Sequence, residues 1–551
     1  AVLRPTLTLA VILLIGACAQ VEVEKPPPEP APDPNAGQLT LPSGDQSWLL
    51  PDDLEISGRA HYRWPDGKTY DGDWASGLPH GTGTMTLPSG DSYAGTWQSG
   101  QRHGHGEQTL ADGTHYVGEF VSNMRQGEGA ERSADGLYRG KWHRDLPHGR
   151  GEFFGADGSE YRGQWDAGER HGTGTYKDTR GSTYEGDWAS DKPHGFGQLT
   201  APDGSEYAGS WSAGARDGYG SSRDASGVRY AGTWVNDQRQ GYGEVTRPDG
   251  TSYEGEWLAD KRHGQGRETT STGAYHEGTW ERNLPLGPGT RTDTSGIAIS
   301  GLWNRDQVTT GLLALPTGPE YAGPLFSQKN TRVSSTLQAW LEQNAHLGDP
   351  YAALVLGRVF SDFSVPQPDP ALATKYLKSA AAASIAEAQY RLALGMVETR
   401  PPRAMELLMQ AADGDLPEAN ALLGRWYLNG EIVPPDSHIA LRYLGRGAEL
   451  GDIAATNDLA WLLATRDGVL DPARAIALIE PIAEFLRRWQ HLDTLAAAYA
   501  SNGDFGQAVS TQSSAIKAAQ ADIDMDPRTL QQMQQRLERY QRNEPYLESQ
   551  S

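Results

Sequence analysis

The sequence has few of the residues and motifs on which catalysis or nucleic-acid binding depends. Its 551 residues contain one cysteine, Cys18, so a disulfide within the chain is excluded, and the formal charge is −23 at pH 7. An acidic chain lacks the basic surface that nucleic acids require. No glycine-rich phosphate loop follows an apolar strand, and HExxH and GxSxG motifs are missing. We therefore predict a non-enzymatic protein with no catalytic residue, no metal, no cofactor and no nucleic-acid partner.

The cysteine lies in the opening stretch AVLRPTLTLAVILLIGACAQ. One arginine is followed by an apolar run from Leu7 to Ile15 and then by small residues, which is typical of a secretory signal peptide. The run is too short for a good membrane-spanning helix. The segment Ile15-Gly16-Ala17-Cys18 resembles the lipobox of bacterial lipoproteins, in which the cysteine is lipidated. We predict a signal peptide at residues 1–17 and lipidation of Cys18; a chance cysteine in an ordinary signal peptide is the alternative.

Residues 18–38 comprise the predicted lipidated cysteine and a proline-rich linker, VEVEKPPPEPAPDPNAGQ. Such a run cannot bury a core and favours an extended polyproline II conformation. We interpret it as a tether, with a ligand for a groove-binding domain as the sharper alternative. By the lipoprotein resemblance, Ala19 favours sorting to the outer membrane, and we expect the protein on its periplasmic face.

The next part of the chain is periodic. Aromatic-x-Gly-x-aromatic units recur at intervals of 23 residues, with two intervals of 22. Residues i, i+2 and i+4 share one face of a strand, and PDG or PSG between strands predicts a turn. Each unit is therefore predicted to be a β-hairpin that is stabilised by its neighbours. The paired aromatics are Tyr70 and Trp74, Tyr93 and Trp97, Tyr116 and Phe120, Tyr138 and Trp142, Tyr161 and Trp165, Tyr184 and Trp188, Tyr207 and Trp211, Tyr230 and Trp234, Tyr253 and Trp257, and Tyr275 and Trp280.

These units resemble MORN repeats, whose motif reads roughly YxGxWxxGxxHGxG before a DG or SG turn. The copy at Tyr70 reads YDGDWASGLPHGTG, and the copy at Tyr184 reads YEGDWASDKPHGFG. The resemblance implies an elongated single-layer antiparallel sheet over residues 39–326, with each glycine leaving room for a neighbouring ring to lie across the backbone. We name as structural aromatics of the repeat Tyr70, Trp74, Tyr93, Trp97, Tyr161, Trp165, Tyr184, Trp188, Tyr207, Trp211, Tyr253 and Trp257.

One repeat position carries histidine before glycine. Equivalent positions in successive hairpins lie about 10 Å apart, too far to converge on one metal ion at about 2 Å. We therefore predict a turn-packing role, and leave only the cluster of His103, His105 and Glu107 open as a weak metal site. We also expect the loop residues Arg102, Arg170 and Arg262 to be exposed. The histidines are His80, His103, His148, His171, His194 and His263, and other copies have Gln126, Asp217, Gln240 and Leu286.

Ligands of MORN arrays give two further expectations. An acidic array in a bacterial envelope fits phosphoinositides poorly. A row of aromatics edged by carboxylates is suited to stacking on sugars, so glycan or cell-wall binding through the aromatic face is the alternative function. Burial of the array tryptophans would weaken that alternative.

From about residue 327 the composition changes to alanine and leucine. Alanines at Ala352, Ala388, Ala419 and Ala455 each stand four residues before a leucine, which is helical patterning inside a repeat of about 36 residues. These units resemble Sel1-like repeats, and the last pair, from Leu492, looks like a tetratricopeptide repeat. The resemblance implies an α-solenoid over residues 327–546 that ends in a capping helix.

The predicted fold class is a two-part β + α repeat protein, with the MORN sheet followed by the α-solenoid. Its predicted function is a non-enzymatic outer-membrane lipoprotein that acts as a protein-protein interaction scaffold in the bacterial cell envelope. The expected partners are envelope proteins bound through the solenoid groove, the outer membrane bound through the lipid anchor, and, in the alternative, a glycan.

Overall fold

The structure is a computed structural model that describes residues 33–326, 333–361, 368–522 and 524–548. Cys18, the predicted signal peptide and most of the predicted linker lie outside these residues. The chain divides into two compact units, Ala1–Leu146 and Pro147–Ser551. The predicted boundary between residues 326 and 327 lies inside the second unit. Within the described residues, no helix is both long enough and apolar enough to cross a membrane.

The first unit is an antiparallel sheet with an irregular start. Its strands are β1 (Gly37–Thr40), β2 (Gln46–Leu49), β3 (Gly58–Arg63), β4 (Thr69–Ala75), β5 (Leu78–Thr86), β6 (Ser92–Gln98), β7 (Gln101–Thr109), β8 (His115–Val121), β9 (Met124–Arg132) and β10 (Gly136–His143), with a 3-10 helix at Pro51–Asp53. β1 pairs with both β2 and β3, so β2 does not continue the series. From β3 to β10 each strand pairs with the next one along the chain.

The second unit begins with the same kind of sheet. Its strands are β11 (Leu146–Gly155), β12 (Glu160–Asp166), β13 (Glu169–Lys177), β14 (Thr183–Ala189), β15 (Lys192–Thr200), β16 (Glu206–Ser212), β17 (Ala215–Arg223), β18 (Arg229–Val235), β19 (Gln238–Thr246), β20 (Ser252–Leu258), β21 (Lys261–Thr269), β22 (Tyr275–Glu281), β23 (Leu284–Thr292), β24 (Ala298–Asn304), β25 (Thr310–Ala314) and β26 (Glu320–Pro324). Each strand pairs antiparallel with its successor. The predicted hairpin array is confirmed.

Two kinds of turn build each repeat, as β15 to β17 show. Ala213 and Gly214 join β16 to β17, and their φ angles of 50° and 92° are those of a tight two-residue hairpin turn. The longer turn between β15 and β16 contains Asp203, whose carboxylate accepts hydrogen bonds from the backbone N–H and hydroxyl of Ser205 at 2.9 and 2.7 Å. The PDG sequence therefore marks the turn between repeats, because aspartate closes the loop locally.

Helices follow the sheet in the second unit. They are α1 (Ser335–His346), α2 (Pro350–Ser361), α3 (Pro370–Ala382), α4 (Ala386–Leu394), α5 (Pro401–Asp413), α6 (Pro417–Asn429), α7 (Ser437–Glu449), α8 (Ile453–Thr465), α9 (Pro472–Leu486), α10 (Trp489–Ser501), α11 (Phe505–Gln520) and α12 (Pro527–Gln541). Helices α2 to α11 form five pairs, and the first helices of successive pairs contact each other, α6 with α8 and α8 with α10. We call the surface of these first helices the inner face. The predicted order, an antiparallel sheet of hairpins followed by a helical array, is confirmed.

The last strands and the first helices share one hydrophobic core. Its buried residues run from Ile297 through Trp303 and Leu325 to Leu341 and Trp426. The ring of Tyr321 in β26 lies 5.6 Å from that of Trp340 in α1. Sheet and helices in the second unit are therefore joined by packing.

Turns of the sheet also meet the helical array along its length. The Asp293 carboxylate accepts a hydrogen bond from Arg358 of α2 at 2.6 Å. Gly451, between α7 and α8, approaches the turn before β22 so closely that a Cβ there would lie 1.9 Å from the carbonyl oxygen of Ser271. Farther along the sheet, burial raises the pKa of Glu484 in α9, and the nearby Arg223 of β17 opposes that increase. Turns at residues 271 and 293 thus meet the helical array, at the α7–α8 loop and at α2.

Candidate interaction surfaces

The geometry that recurs from repeat to repeat is a stack of edge-on aromatic rings, and strands β16 to β18 illustrate it. The ring of Tyr207 lies 5.1 Å from Trp211 in its own strand and 5.6 Å from Trp234 in the next repeat, with interplanar angles of 87° and 90°. The Tyr207 hydroxyl donates to the carbonyl of Ser210 at 2.9 Å, and the Trp234 indole N–H donates to the carbonyl of Gly220 at 3.2 Å. Both polar ends are satisfied, so the rings can be buried without an unpaired group.

Glycine is required beneath each tyrosine ring. A Cβ on Gly220 would lie 2.4 Å from the Tyr207 hydroxyl, and one on Gly209 would lie 2.4 Å from the Cα of Gly220. The ring crosses the glycines of its own hairpin, whereas the sequence led us to expect a ring from a neighbouring one. Tyr70 lies over Gly72 and Gly83 in the first unit in the same way.

The named structural aromatics lie in this stack. Trp165 alone among them is half-buried, and it packs against Phe153 and Tyr161 at 6.5 and 5.2 Å. The buried members in the first unit are Tyr70, Trp74, Tyr93 and Trp97, and those in the second are Tyr161, Tyr184, Trp188, Tyr207, Trp211, Tyr253 and Trp257. Since these rings are buried against each other, the aromatic face does not offer them to a sugar. Glycan binding through that face loses its basis.

The expectation of exposed arginines is wrong. Arg170 and Arg262 lie with their guanidinium groups 4.5 and 4.3 Å from the rings of Trp188 and Trp280, and only 24% and 15% of their side chains are exposed. In the first unit the Arg102 guanidinium lies 5.1 Å from the ring of Phe120. Each of these arginines also donates to the backbone carbonyl of the next tight turn, at Asn123, Asp191 or Asn283. The arginines form a cationic layer over the rings.

The assignment of Tyr275 as the tenth repeat aromatic is also wrong. His276 takes the tyrosine position, with its ring 5.4 Å from Trp280 and 5.0 Å from Trp303. Tyr275 is half-buried, under the guanidinium of Arg267 at 3.7 Å. His276 is 5% exposed, and neither ring nitrogen has a hydrogen-bond partner among the described residues. Burial, helped by Arg291, lowers its pKa to about 4.

The histidine position serves the turn of the next hairpin. The Nδ1 atom of His80 accepts a hydrogen bond from the backbone N–H of Ser99 at 3.4 Å. Where Asp217 or Gln240 replaces histidine, a side-chain oxygen accepts the equivalent bond, from Asn236 at 3.2 Å and from Ala259 at 3.4 Å; Leu286 has no acceptor. A side chain that accepts a turn N–H is what this position needs.

The weak metal site left open at His103, His105 and Glu107 does not form. Glu107 pairs with His115, whose Nε2 lies 2.6 Å from its carboxylate. Among the described residues, no group of three or more histidine, cysteine, aspartate or glutamate side chains is arranged to hold a metal ion.

The other face of the sheet carries a row of exposed aromatic residues. Phe196, Tyr219 and Tyr242 stand between the two glycines of three successive repeats, and their exposed fractions are 64%, 68% and 60%. Because strand residues alternate between faces, these rings point away from the buried stack. The sequence analysis missed them, although their spacing of 23 residues is visible as GFG, GYG and GYG.

The inner face of the helical array changes character along its length. One repeat position, two residues after the alanine-leucine pattern, carries Arg358, Leu394, Arg425 and Trp461 in turn. Arg358 is held by the sheet turn at Asp293, and Arg425 pairs across to Asp458 of α8 at 2.6 Å. Leu394 is 46% exposed. At this repeat position the inner face is therefore open at α4.

The C-terminal segment covers the far end of the inner face. The Glu548 carboxylate accepts hydrogen bonds from Trp461 and Arg466 at 3.0 and 2.7 Å, and its backbone N–H donates to the carbonyl of Thr465 at 2.8 Å. Tyr546 lies 6.0 Å from Trp461, ring to ring. An extended segment is thus held on α8 by one aromatic and one acidic side chain.

A buried ion pair fixes α12 beside this segment. Arg536 of α12 donates to the Asp493 carboxylate of α10 at 2.7 Å, and Gln512 of α11 donates to the same carboxylate at 2.7 Å. Both charged side chains are less than a tenth exposed. The Arg536 guanidinium also lies 5.3 and 5.5 Å from the rings of Trp461 and Tyr546.

Comparison with known proteins identifies both repeat types. A model described as MORN repeat matches residues 70–92, 93–115, 116–137, 138–160, 161–183, 184–206, 207–229, 230–252, 253–275 and 276–297. A model described as Sel1 repeat matches residues 350–384, 386–416 and 417–452. The tenth MORN match begins at His276, which agrees with its place in the ring stack. The tetratricopeptide assignment of the last helix pair stays a prediction.

Solved structures with similarity to this chain include two Sel1-type proteins. A Sel1 repeat protein from Oxalobacter formigenes is 21% identical over 34% of this chain and 84% of its own, with a TM-score of 0.28. The protective antigen c5321 of uropathogenic Escherichia coli, which displays an SLR fold, is 19% identical over 37% of this chain and 50% of its own, also with a TM-score of 0.28. No curated protein sequence matches the chain. The chain is thus a repeat protein in which MORN repeats are followed by Sel1 repeats.

Proposed function

We propose that this protein is a non-enzymatic scaffold of the bacterial cell envelope that binds a protein partner on the inner face of its helical array. MORN and Sel1 repeats generally serve as interaction modules. The finer parts of the proposal are the envelope location, the lipid anchor on Cys18 at the outer membrane, and the use of the inner face.

The observation that carries the proposal is the C-terminal segment. Residues 544–548 lie extended against α8, and Glu548 is held by two side chains and one backbone carbonyl. Extended segments fit a helical groove when pockets receive alternate side chains. The same inner face is open at Leu394, which stands at the repeat position of Trp461. A partner segment docked there would need an apolar group for Leu394.

The aromatic stack supports a structural role for the sheet. Its rings, arginines and glycines contact each other, so the repeats are stabilised by their neighbours.

The experiment is affinity purification of the full chain from crosslinked envelopes, comparing Leu394→Glu with Met409→Glu. Both leucine and methionine are comparably exposed, at 46% and 41%, but Met409 lies on α5, a second helix of its pair. We expect Leu394→Glu to lose a stoichiometric protein that Met409→Glu retains. Equal recovery of the same proteins by both variants would contradict use of the inner face.

The lipid anchor is tested separately. Metabolic labelling with a fatty acid should mark the protein, and Cys18→Ala should abolish the label and release the chain from the membrane fraction. Label that persists in Cys18→Ala would contradict the anchor without bearing on the inner face.

A further inference from the structure

The row formed by Phe196, Tyr219 and Tyr242, on the face opposite the buried stack, goes beyond the proposed scaffold. The three rings lie on β15, β17 and β19, at the same repeat position. Their exposed fractions of 60% to 68% stand against 3% to 8% for the tyrosines and tryptophans of the same repeats on the other face. Large exposed aromatics in sequence on one surface mark a binding site more often than single ones do.

The side chains between the rings are short and carry hydroxyls. The strand partner of Phe196 is Ser210, and that of Tyr219 is Thr233. The next positions inward are also small, at Ala208, Ser221 and Ala231. These three residues line one part of a shallow cavity of about 410 Å³, whose other walls include Glu206, Arg223 and Arg229. A flat ligand can approach Phe196 and Tyr219 from the side of Ser210 and Thr233, whose side chains are short.

The spacing of the rings is set by the sheet. Neighbouring strands are about 4.8 Å apart, so rings on alternate strands repeat at about 9.6 Å. This distance is close to the length of two sugar units in an extended β-1,4-linked glycan. Each ring would then stack on every second sugar of one chain, and the hydroxyls and carboxylates between the rings would bond to sugar hydroxyls.

Charges of both signs lie beside the row, with Arg223 and Arg229 at one end of the cavity and carboxylates around Tyr242, and they limit the kind of glycan. Tyr242 faces Glu256 across the strand pair, and Glu244 faces Glu254. The Tyr242 hydroxyl donates to the Glu254 carboxylate at 2.6 Å, which fixes the ring and raises its pKa. Exposed carboxylates repel an anionic polymer and accept hydrogen bonds from hydroxyl and amide groups. An uncharged glycan fits this edge, whether its hydroxyl groups are all free or some are replaced by acetamido groups.

We propose that Phe196, Tyr219 and Tyr242 form a binding site for a single extended, uncharged β-1,4-linked glycan chain. The twist of the sheet turns each ring relative to the last. The site therefore favours one soluble chain, which can follow the twist, over the flat surface of a crystalline polymer.

The test is calorimetric titration of the full chain with N-acetylglucosamine and glucose β-1,4-oligosaccharides of increasing length. We expect affinity to rise with length and level off at about five sugars, the span of three rings at two-sugar spacing. Each single substitution to alanine should weaken binding about tenfold, and the triple substitution should abolish it. Thr173→Ala and Gln265→Ala, at the same position in repeats without an aromatic, should bind normally.

The thermal midpoint of each variant should match that of the unsubstituted chain, because the rings are exposed. No binding of any oligosaccharide, or equal binding by the triple variant, overturns the proposal. A concentration-dependent dimer that the triple variant loses, with no oligosaccharide bound, assigns the row to a protein contact and also overturns it. Partner capture through Leu394 is independent of all these outcomes, so the scaffold and the glycan site fail separately.

Discussion

The sheet and the helical array of the second unit achieve stability by opposite means. In the sheet, one contact set is repeated: Tyr230 lies 5.1 Å from Trp234 and 5.6 Å from Trp257, almost as Tyr207 does from its own pair. In the helical array, the decisive polar contacts occur once each. Glu387 accepts from Arg358 and Arg391 at 2.7 Å and from Ser295 at 3.0 Å, and Arg536 binds Asp493.

This difference determines where each part tolerates substitution. A repeated, nearest-neighbour stack loses only local energy when one member is altered. A contact made once between distant residues has no neighbour to replace it, so its loss loosens whole elements. Binding surfaces are accordingly expected where neither network is saturated, at the open inner face and at the exposed aromatic row.

The largest loss of stability is expected when a single tryptophan of the stack is removed. Trp234→Ala removes two ring contacts, the hydrogen bond to Gly220 and the platform under Arg216. We expect a loss of about 4 kcal/mol in the free energy of unfolding, measured by denaturant titration. Hydrogen exchange should rise in β16 to β20 and stay unchanged in α8 to α12. Tyr219→Ala, on the exposed face, should cost under about 0.5 kcal/mol; equal losses would contradict the assignment of the two faces.

The next largest effect is expected at the contact that joins sheet and helices. Glu387→Ala leaves the half-buried Arg358 with Asp293 but without its main partner and should cost about 3 kcal/mol. Hydrogen exchange should increase both in the turn at residues 293–297 and in α2 and α4. The matched control is Glu406→Ala, which breaks an exposed pair with Arg403 at 2.5 Å and should cost about 0–1 kcal/mol. Exchange that changes only in the helices would show that the sheet does not depend on this contact.

A gain is expected at the irregular member of the stack. His276→Tyr restores a hydroxyl that can donate to the carbonyl of Thr279, as Tyr253 does to Glu256 at 3.1 Å, and should stabilise by about 1 kcal/mol. The pKa of His276 lies near 4, below the 6.5 of the unfolded chain. Between these values the unfolded state binds more protons, so stability falls as pH drops from 6.5 to 4. His276→Tyr should remove that part of the pH dependence; an unchanged pH profile would rule out His276 as its source.

The smallest effect concerns the arginine layer. Arg216 lies 4.1 Å from the Trp234 ring and donates to the Asp237 carboxylate and carbonyl at 2.9 and 3.0 Å. Arg216→Lys keeps the charge but loses the planar stacking and the second donor, and should cost about 0.5–1 kcal/mol. Arg229→Lys, at an exposed position, is the control. Equal melting temperatures of Arg216→Lys and Arg229→Lys would show that the arginine layer stabilises the sheet only through packing of its aliphatic stems.

The repeat period of the sequence predicted the secondary structure of both arrays. Tyr, Gly and Trp at fixed spacing indicated strands and faces, and the alanine-leucine steps indicated helix pairs. Tyr275 misled the assignment because it is an aromatic next to the true position; Gly278 and Trp280, counted backwards, point to His276. The arginine layer was missed because arginine is ordinarily a surface residue and because proline takes the position in other repeats, at Pro79, Pro147, Pro193 and Pro285.

Contacts between distant residues were beyond the sequence. Arg358 and Asp293 are 65 residues apart, and Trp461 and Glu548 are 87 apart. No local pattern distinguishes these charged residues from others on helix surfaces. The cover on α8 and the joint between sheet and helices therefore emerged only with the fold.

Site-specific photo-crosslinking in intact cells tests the central claim most directly. A photoreactive residue is placed in turn at Leu394 on the inner face, at Met409 on α5, and at Tyr219 on the exposed row. The account predicts a discrete protein adduct from position 394 and none from position 409. An adduct of the same protein from position 409, or from position 219 but not 394, would contradict the inner face as the partner-binding surface.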